Sequence, residues 1–196
     1  MEIYKNIIDR LTINFKKNNF KKKATTFYFK EFENWGVINF QKSRDIIPNS
    51  AKFTINFGIL STKLRRTRED IAPDVLPVIQ DCHLIYRVGF FLPENKDFWW
   101  VVNSNTDTEL LTNQLINITE TIIIPTLRKQ ISDDALIDLW FGSQHSGITE
   151  FTSLIYLTIL LQIKRDSRLD DAIELFKRKY PEERTFYHIE NLQKYV

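Results

Sequence analysis

Residues 20–60 constrain the fold most strongly, because three short runs within them alternate apolar and polar side chains. Successive side chains of a β-strand point to opposite faces of the sheet, so alternation predicts a strand that is buried on one face. In the third run, phenylalanine and isoleucine recur at every second position from Phe53 to Ile59, with Thr54 and Asn56 between them. We therefore expect an antiparallel meander with one buried face and one polar face. The expected buried residues are Phe27, Phe29, Ile38, Phe40, Phe53, Ile55 and Phe57.

Residues 81–91 also alternate, which predicts a fourth strand, and the aromatic run at residues 98–103 predicts a fifth. A turn motif at residues 93–96 separates them, so we expect these two strands to pair as a hairpin. In front of the meander, residues 2–15 repeat apolar side chains four positions apart, which is typical of an amphipathic helix.

Beyond residue 103 the apolar spacing becomes helical, and we predict about five helices. Pro125 is expected to kink or end the first of them, because proline lacks the backbone N–H that a helix interior requires. The predicted helices span residues 107–130, 132–141, 148–163, 169–180 and 182–195.

Strands followed by a run of helices predict the α+β class. The expected order is an N-terminal helix, a five-stranded antiparallel meander and a C-terminal bundle of about five helices. We expect a sheet domain at residues 1–103 and a helical half at residues 104–196, packed on the sheet as one compact unit.

The single cysteine, Cys82, excludes an internal disulfide and favours a reducing, cytosolic compartment. The first residues lack the apolar core of a secretory signal. The most apolar run, residues 154–161, is shorter than the roughly 20 residues that span a bilayer. We therefore expect a cytoplasmic protein that does not enter a membrane.

Three motifs in order carry a family resemblance: F-K-K-K-A-T-T-F-Y at residues 20–28, I-N-F-Q-K-S at 38–43 and F-T-I-N-F-G-I at 53–59. Together they resemble the bacterial domain-of-unknown-function 4304 family over residues 3–102. The resemblance implies a small α+β domain without an established activity, and it transfers no catalytic residue.

The polar face of the predicted sheet is the first candidate binding site. Amides on neighbouring strands form a row of hydrogen-bond donors and acceptors that suits a peptide edge, a base or a carbohydrate. The alternative is that these are solvent-facing strand positions, or that they bond a helix end. The candidate residues are Tyr28, Lys30, Asn39, Gln41, Thr54 and Asn56.

A basic segment is the second candidate. The formal net charge is +2, yet the first thirty residues hold eight basic and two acidic side chains. Lysines beside aromatic residues suit RNA or single-stranded DNA, through phosphate contacts and stacking. A solvated helix face and loop is the alternative interpretation. The candidate residues are Lys16, Lys17, Lys21, Lys22, Lys23, Arg65 and Arg66, with Arg68 nearby in sequence.

A metal-dependent hydrolase is the third candidate, because Asp74, Glu94 and Lys96 offer carboxylates and an amine for a metal ion and a water. Such a site needs Glu94 on a strand, whereas its neighbours are typical of a turn, so chance coincidence is favoured. The three histidines lie far apart in sequence, without metal-ligand spacing. We predict no catalytic residue, metal or cofactor.

The absence of catalytic motifs and the uneven charge favour a non-enzymatic binding module that recognises another protein. An inhibitor or immunity-type protein paired with a toxin is one form of this hypothesis. Nucleic-acid binding through the lysine-rich segment is the alternative, and a hydrolase is the second alternative.

Overall fold

The computed structural model describes residues 2–45, 47–67 and 75–195. Helix α1 (Glu2–Lys17) precedes a six-stranded antiparallel sheet, and further helices follow. The strands are β1 (Lys21–Lys23), β2 (Thr26–Glu31), β3 (Asn34–Lys42), β4 (Ser50–Leu60), β5 (Leu84–Arg87) and β6 (Trp100–Asn103). The other helices are α2 (Thr62–Arg66), α3 (Thr108–Ile118), α4 (Ile124–Gln130), α5 (Asp133–Phe141), α6 (Glu150–Lys164), α7 (Leu169–Lys179) and α8 (Glu183–Glu190). The predicted α+β class is confirmed, with the short strand β1 added in front of the predicted five.

The predicted hairpin of the last two strands is wrong, because β5 and β6 pair with β4 and not with each other. Both are antiparallel to β4, so they run in the same direction, whereas the strands of a hairpin run in opposite directions. Strand β5 pairs with the end of β4 nearest Leu60, and β6 pairs with the end nearest Ser50. Residues 88–99, here called the excursion, leave the sheet between the two strands and return to it.

The excursion begins with a 3-10 turn at Val88–Phe91, which ends β5 earlier than the alternating pattern predicts. Gly89 permits this turn, because a Cβ at its position would lie 2.2 Å from the carbonyl oxygen of Lys96. The excursion therefore folds back on itself at a point where a larger residue would collide with the backbone.

The core lies between the helices and one face of the sheet. All seven predicted core residues are buried. Helix α1 stacks the ring of Phe15 on that of Phe27, with centroids 4.1 Å apart, and the Tyr4 hydroxyl donates to the Phe40 carbonyl oxygen over 2.8 Å. One cluster of buried apolar side chains continues from this face to Leu157 of α6.

Pro125, which is expected to kink or end the first C-terminal helix, lies directly after a break between two helices. Helix α3 ends at Ile118, a π turn follows at Thr119–Ile123, and α4 begins with Pro125 in its first turn. The N–H of Ile124 donates to the Thr119 carbonyl oxygen, so the α-helical pattern changes to a π turn just before Pro125, which has no N–H to donate. The helix is therefore divided where the sequence predicts.

A buried carboxylate, that of Asp133, joins the helical half to the sheet. Its Oδ1 accepts from Asn34 Nδ2 at 2.9 Å and from Ser61 Oγ at 2.8 Å, and its Oδ2 accepts from Lys63 Nζ at 2.8 Å. Asn34 begins β3, Ser61 follows β4 and caps α2, and Asp133 begins α5. These four residues, here called the Asp133 network, therefore hold three separate parts of the chain at one point.

The electrostatics of the Asp133 network favour the ionised carboxylate. Burial by itself opposes ionisation, but the hydrogen bonds from Lys63, Asn34 and Ser61 outweigh it and lower the pKa of the Asp133 carboxyl. A buried charge is tolerated only where donors surround it, so the fold must place all of these donors correctly.

We predict that Asp133→Ala lowers the free energy of unfolding by about 3 kcal/mol, because it leaves buried donors of Asn34 and Ser61 without their acceptor. The adjacent Asp134→Ala is the matched control. Asp134 is exposed and pairs with Lys164 at 2.9 Å, so its removal should change the free energy by about 0.5 kcal/mol. Urea denaturation of both variants measures the difference, and equal losses would contradict a special role for Asp133.

A second buried polar contact lies within the helical half. His188 Nε2 is 2.9 Å from Thr158 Oγ1, and the hydroxyl of Thr158 also donates to the Leu154 carbonyl oxygen at 2.9 Å. Because that hydroxyl has one proton, the ring N–H of His188 donates to Thr158. Burial first, and the charge of Lys194 second, lower the pKa of His188 to about 4.

We predict that the free energy of unfolding falls as the pH drops from about 6.5 to about 4. In this range the unfolded chain protonates His188 while the folded chain keeps it neutral, so protons favour the unfolded state. His188→Gln should remove this part of the pH dependence and leave the part that arises from carboxylates. Denaturation curves of both proteins across this range provide the test, and identical slopes would contradict the assignment.

Candidate functional site

A line of polar side chains crosses the sheet on the face opposite the core. The register pairs Lys23 with Thr26, Thr26 with Asn39, Asn39 with Asn56, and Asn56 with Arg87. Directly opposed residues of neighbouring strands point to the same face, so these side chains lie side by side. We call Lys23, Thr26, Asn39, Asn56 and Arg87 the polar row.

Hydrogen bonds fix the orientation of the amides in and beside the polar row. Asn39 Nδ2 donates to Thr26 Oγ1 at 2.8 Å, and Arg87 Nε donates to Asn56 Oδ1 at 3.1 Å. Asn56 Nδ2 donates to Gln41 Oε1 at 2.6 Å, which leaves the Gln41 amino group pointing away from that bond. Among the described residues no acceptor binds this amino group, so exposed Gln41 offers donors to solvent.

The expectation that Thr54 and Asn56 are accessible is wrong, because the excursion covers Thr54 and Arg87 of β5 contacts Asn56. Thr54 is 0% exposed and donates its hydroxyl to the Phe98 carbonyl oxygen at 2.8 Å. Asn56 is 6% exposed and lies beneath Arg87. The sequence pattern places these residues on the correct face, but it does not reveal that the chain returns across that face.

The expectation of an exposed phenol at Tyr28 is also wrong. Tyr28 is 4% exposed and belongs to a second, smaller apolar cluster with Val37, Leu60, Ile79 and Cys82. Burial raises the pKa of its phenol. The chain around Ile79 therefore covers one end of the polar face, and the exposed part is narrower than the alternating pattern suggests.

The other predicted residues of this face are accessible to different degrees. Lys30 is exposed, but it lies 3.6 Å from the Glu33 carboxylate and 5.7 Å from the centre of the Trp35 ring. Asn39 is half-buried and Gln41 is exposed. Of the six predicted residues, these three remain within reach of a ligand.

A cluster that the sequence does not predict closes the far end of the polar row. Two cations lie close to the Trp99 ring, whose centre is 5.3 Å from Lys52 and 5.4 Å from Arg87. Asp97 accepts from Arg87 at 2.9 Å and from the Trp99 indole at 3.0 Å. Burial opposes ionisation of Asp97, yet these bonds outweigh it and lower the pKa of its carboxyl. The cluster assembles only because the excursion returns to β4.

The predicted basic residues do not form one surface. Lys21 and Lys23 are exposed on the polar face, whereas Lys22 points to the opposite face and pairs with Asp9 at 3.2 Å. Arg65 is 3% exposed, so its expected place at the surface is wrong. Arg66 is exposed in α2, and Lys16 and Lys17 are exposed at the end of α1.

The residues of the hydrolase hypothesis are only partly described. Asp74 lies outside the described residues, and Glu94 and Lys96 are exposed in the turn of the excursion. Within residues 2–45, 47–67 and 75–195, no three His, Cys, Asp or Glu side chains are grouped as metal ligands. In those same ranges, no helix combines the length and the apolar character that crossing a membrane requires.

Comparisons with known proteins add a family and nothing more specific. No curated protein and no solved structure matches the chain. The DUF4304 family, described as a domain of unknown function, matches residues 11–129. The match confirms the resemblance seen in the three strand motifs and extends past the sheet into α4. Since the match covers more than half of the chain, this protein belongs to the DUF4304 family.

Proposed function

We propose that the protein is a binding module that docks an acidic segment of a protein partner on the exposed end of the polar row. The observation that carries this proposal is the surplus of hydrogen-bond donors there. Lys21, Lys23 and the Gln41 amino group are exposed, and no described residue provides them with an acceptor. Carboxylates are the protein groups that accept from such donors most strongly.

The arrangement of the donors suits an extended segment. Lys21 and Lys23 stand on β1, the edge strand of the sheet, and Thr26 and Asn39 continue the line inward. An extended peptide presents alternate side chains to one surface, so acidic residues at alternate positions meet this line of donors. An inhibitor or immunity-type protein is one form of this proposal, in which the donors cover carboxylates of a toxin.

Nucleic-acid binding has less support from the geometry. The half-buried Trp99 ring already contacts the Lys52 and Arg87 side chains, which occupy part of the surface on which a base would stack. The basic residues predicted for this function also lie on different faces of the protein.

We predict that replacing Lys21 and Lys23 together by glutamine weakens binding of an oligo-aspartate peptide about tenfold, because two charge-assisted contacts are lost. The matched control replaces Lys5 and Lys129 by glutamine. Both are exposed, neither forms an ion pair with a described residue, and the net charge changes equally. Backbone amide shifts in β1, β2 and β3 during peptide titration measure the affinity.

Equal loss of affinity in the control would show that only net charge matters and would contradict a site at the polar row. A single-stranded oligonucleotide of the same charge serves as the competing ligand. Tighter binding of the oligonucleotide than of the peptide, with the same residues perturbed, would favour the nucleic-acid alternative. Affinity for either ligand should fall with salt, so both titrations use one ionic strength.

A further inference from the structure

A groove of about 410 Å³ lies between the excursion and helix α3. It is separate from the polar row, because Trp100 at its base alternates with Val101 and so points to the core side of the sheet. Its size falls within the range of small-ligand sites. The groove is lined by Leu92, Glu94, Phe98, Trp100, Gln114 and Asn117, among others.

The base of the groove is aromatic and firmly held. The Phe98 ring meets the Trp100 ring edge to face, with centroids 4.9 Å apart. Trp100 in turn stacks on buried Phe53 at 5.4 Å. Phe53 covers one face of the Trp100 ring, so a ligand can reach only the other face and the Phe98 ring, both of which are held without the entropy loss of a mobile side chain. The negative faces of aromatic rings attract cations.

The rim of the groove carries three polar side chains without internal partners. Within the described residues, the side chains of Glu94, Gln114 and Asn117 form no hydrogen bond or ion pair. In contrast, Asp97 of the same excursion is bonded to Arg87 and Trp99. Among the described residues of the lining, Glu94 is the only charged one, so the groove offers oxygen acceptors and one negative charge beside aromatic rings.

We propose that this groove binds an organic cation, an ammonium or guanidinium group on an apolar stem. The stem contacts Phe98 and Trp100, while the cation reaches the Glu94 carboxylate and the amide oxygens of Gln114 and Asn117. A free amine and a lysine or arginine side chain of a polypeptide share this chemistry. Water hydrates the exposed Glu94 carboxylate in the absence of a ligand, so a neutral ligand gains no ion pair there and an anionic ligand is repelled.

The test uses butylammonium as the free amine and butanol as its neutral counterpart. The readouts are the Trp100 indole N–H and the side-chain amides of Gln114 and Asn117 in nitrogen–proton correlation spectra. We expect saturable shifts with butylammonium and much weaker ones with butanol.

A capped peptide with one internal lysine, compared with the same peptide acetylated at that lysine, provides a second experiment. Tighter binding of the lysine peptide than of butylammonium would identify a polypeptide as the source of the cation.

Two variants of the lining and one control test whether the carboxylate and the ring bind the cation. Glu94→Gln should weaken butylammonium binding about tenfold, and Phe98→Leu, which keeps apolar volume without a ring face, about threefold. Glu190→Gln removes another exposed, unpaired carboxylate and should leave the affinity unchanged. Unchanged affinity in Glu94→Gln, an equal loss in Glu190→Gln, or equal binding of butanol would overturn the proposal. Failure here would leave the polar-row proposal standing, since no residue is shared.

Discussion

The buried Asp133 carboxylate is the constraint on which the arrangement of the two halves depends. It is 8% exposed and accepts from an amide of β3, the hydroxyl that follows β4 and an ammonium of α2. Removing a carboxylate from water is unfavourable by several kcal/mol unless such donors replace the water. The start of α5 is therefore held where these donors surround the carboxylate, while apolar burial supplies most of the driving force.

The excursion has a comparable influence on the outer surface. By leaving β4 after Arg87 and returning at Trp100, it buries Thr54 and places Asp97 and Trp99 against the polar row. Its other side forms a wall of the groove that faces α3. The excursion thus shapes both candidate binding surfaces, as is common for loops that lie on a rigid sheet.

The sequence predicts those features of the fold that depend on local pattern. Alternation identifies the meander and its buried face, and the helix predicted from residue 132 is capped there by Ser132, which accepts from Ala135 N. Features that depend on distant residues are not predictable in this way. The partners of Asp133 lie 72 and 99 positions away in sequence, so a helix-start aspartate could not be recognised as buried. Similarly, no local pattern shows that β5 and β6, which residues 88–99 separate, both pair with the same edge of β4.

We propose that the Asp133 network makes the sheet and the helical half one cooperative unit. Trp35 lies against the outer cluster of the sheet, and Trp140 is buried in the helical half, so the two indoles report on different parts. The most direct test is urea unfolding of protein labelled with 5-fluorotryptophan, followed by fluorine NMR of both resonances. If the two halves unfold as one unit, Trp35 and Trp140 lose their native signals with the same midpoint and the same slope, which is the result we predict. Loss of the Trp140 signal at a lower urea concentration, with native Trp35 retained, would contradict it.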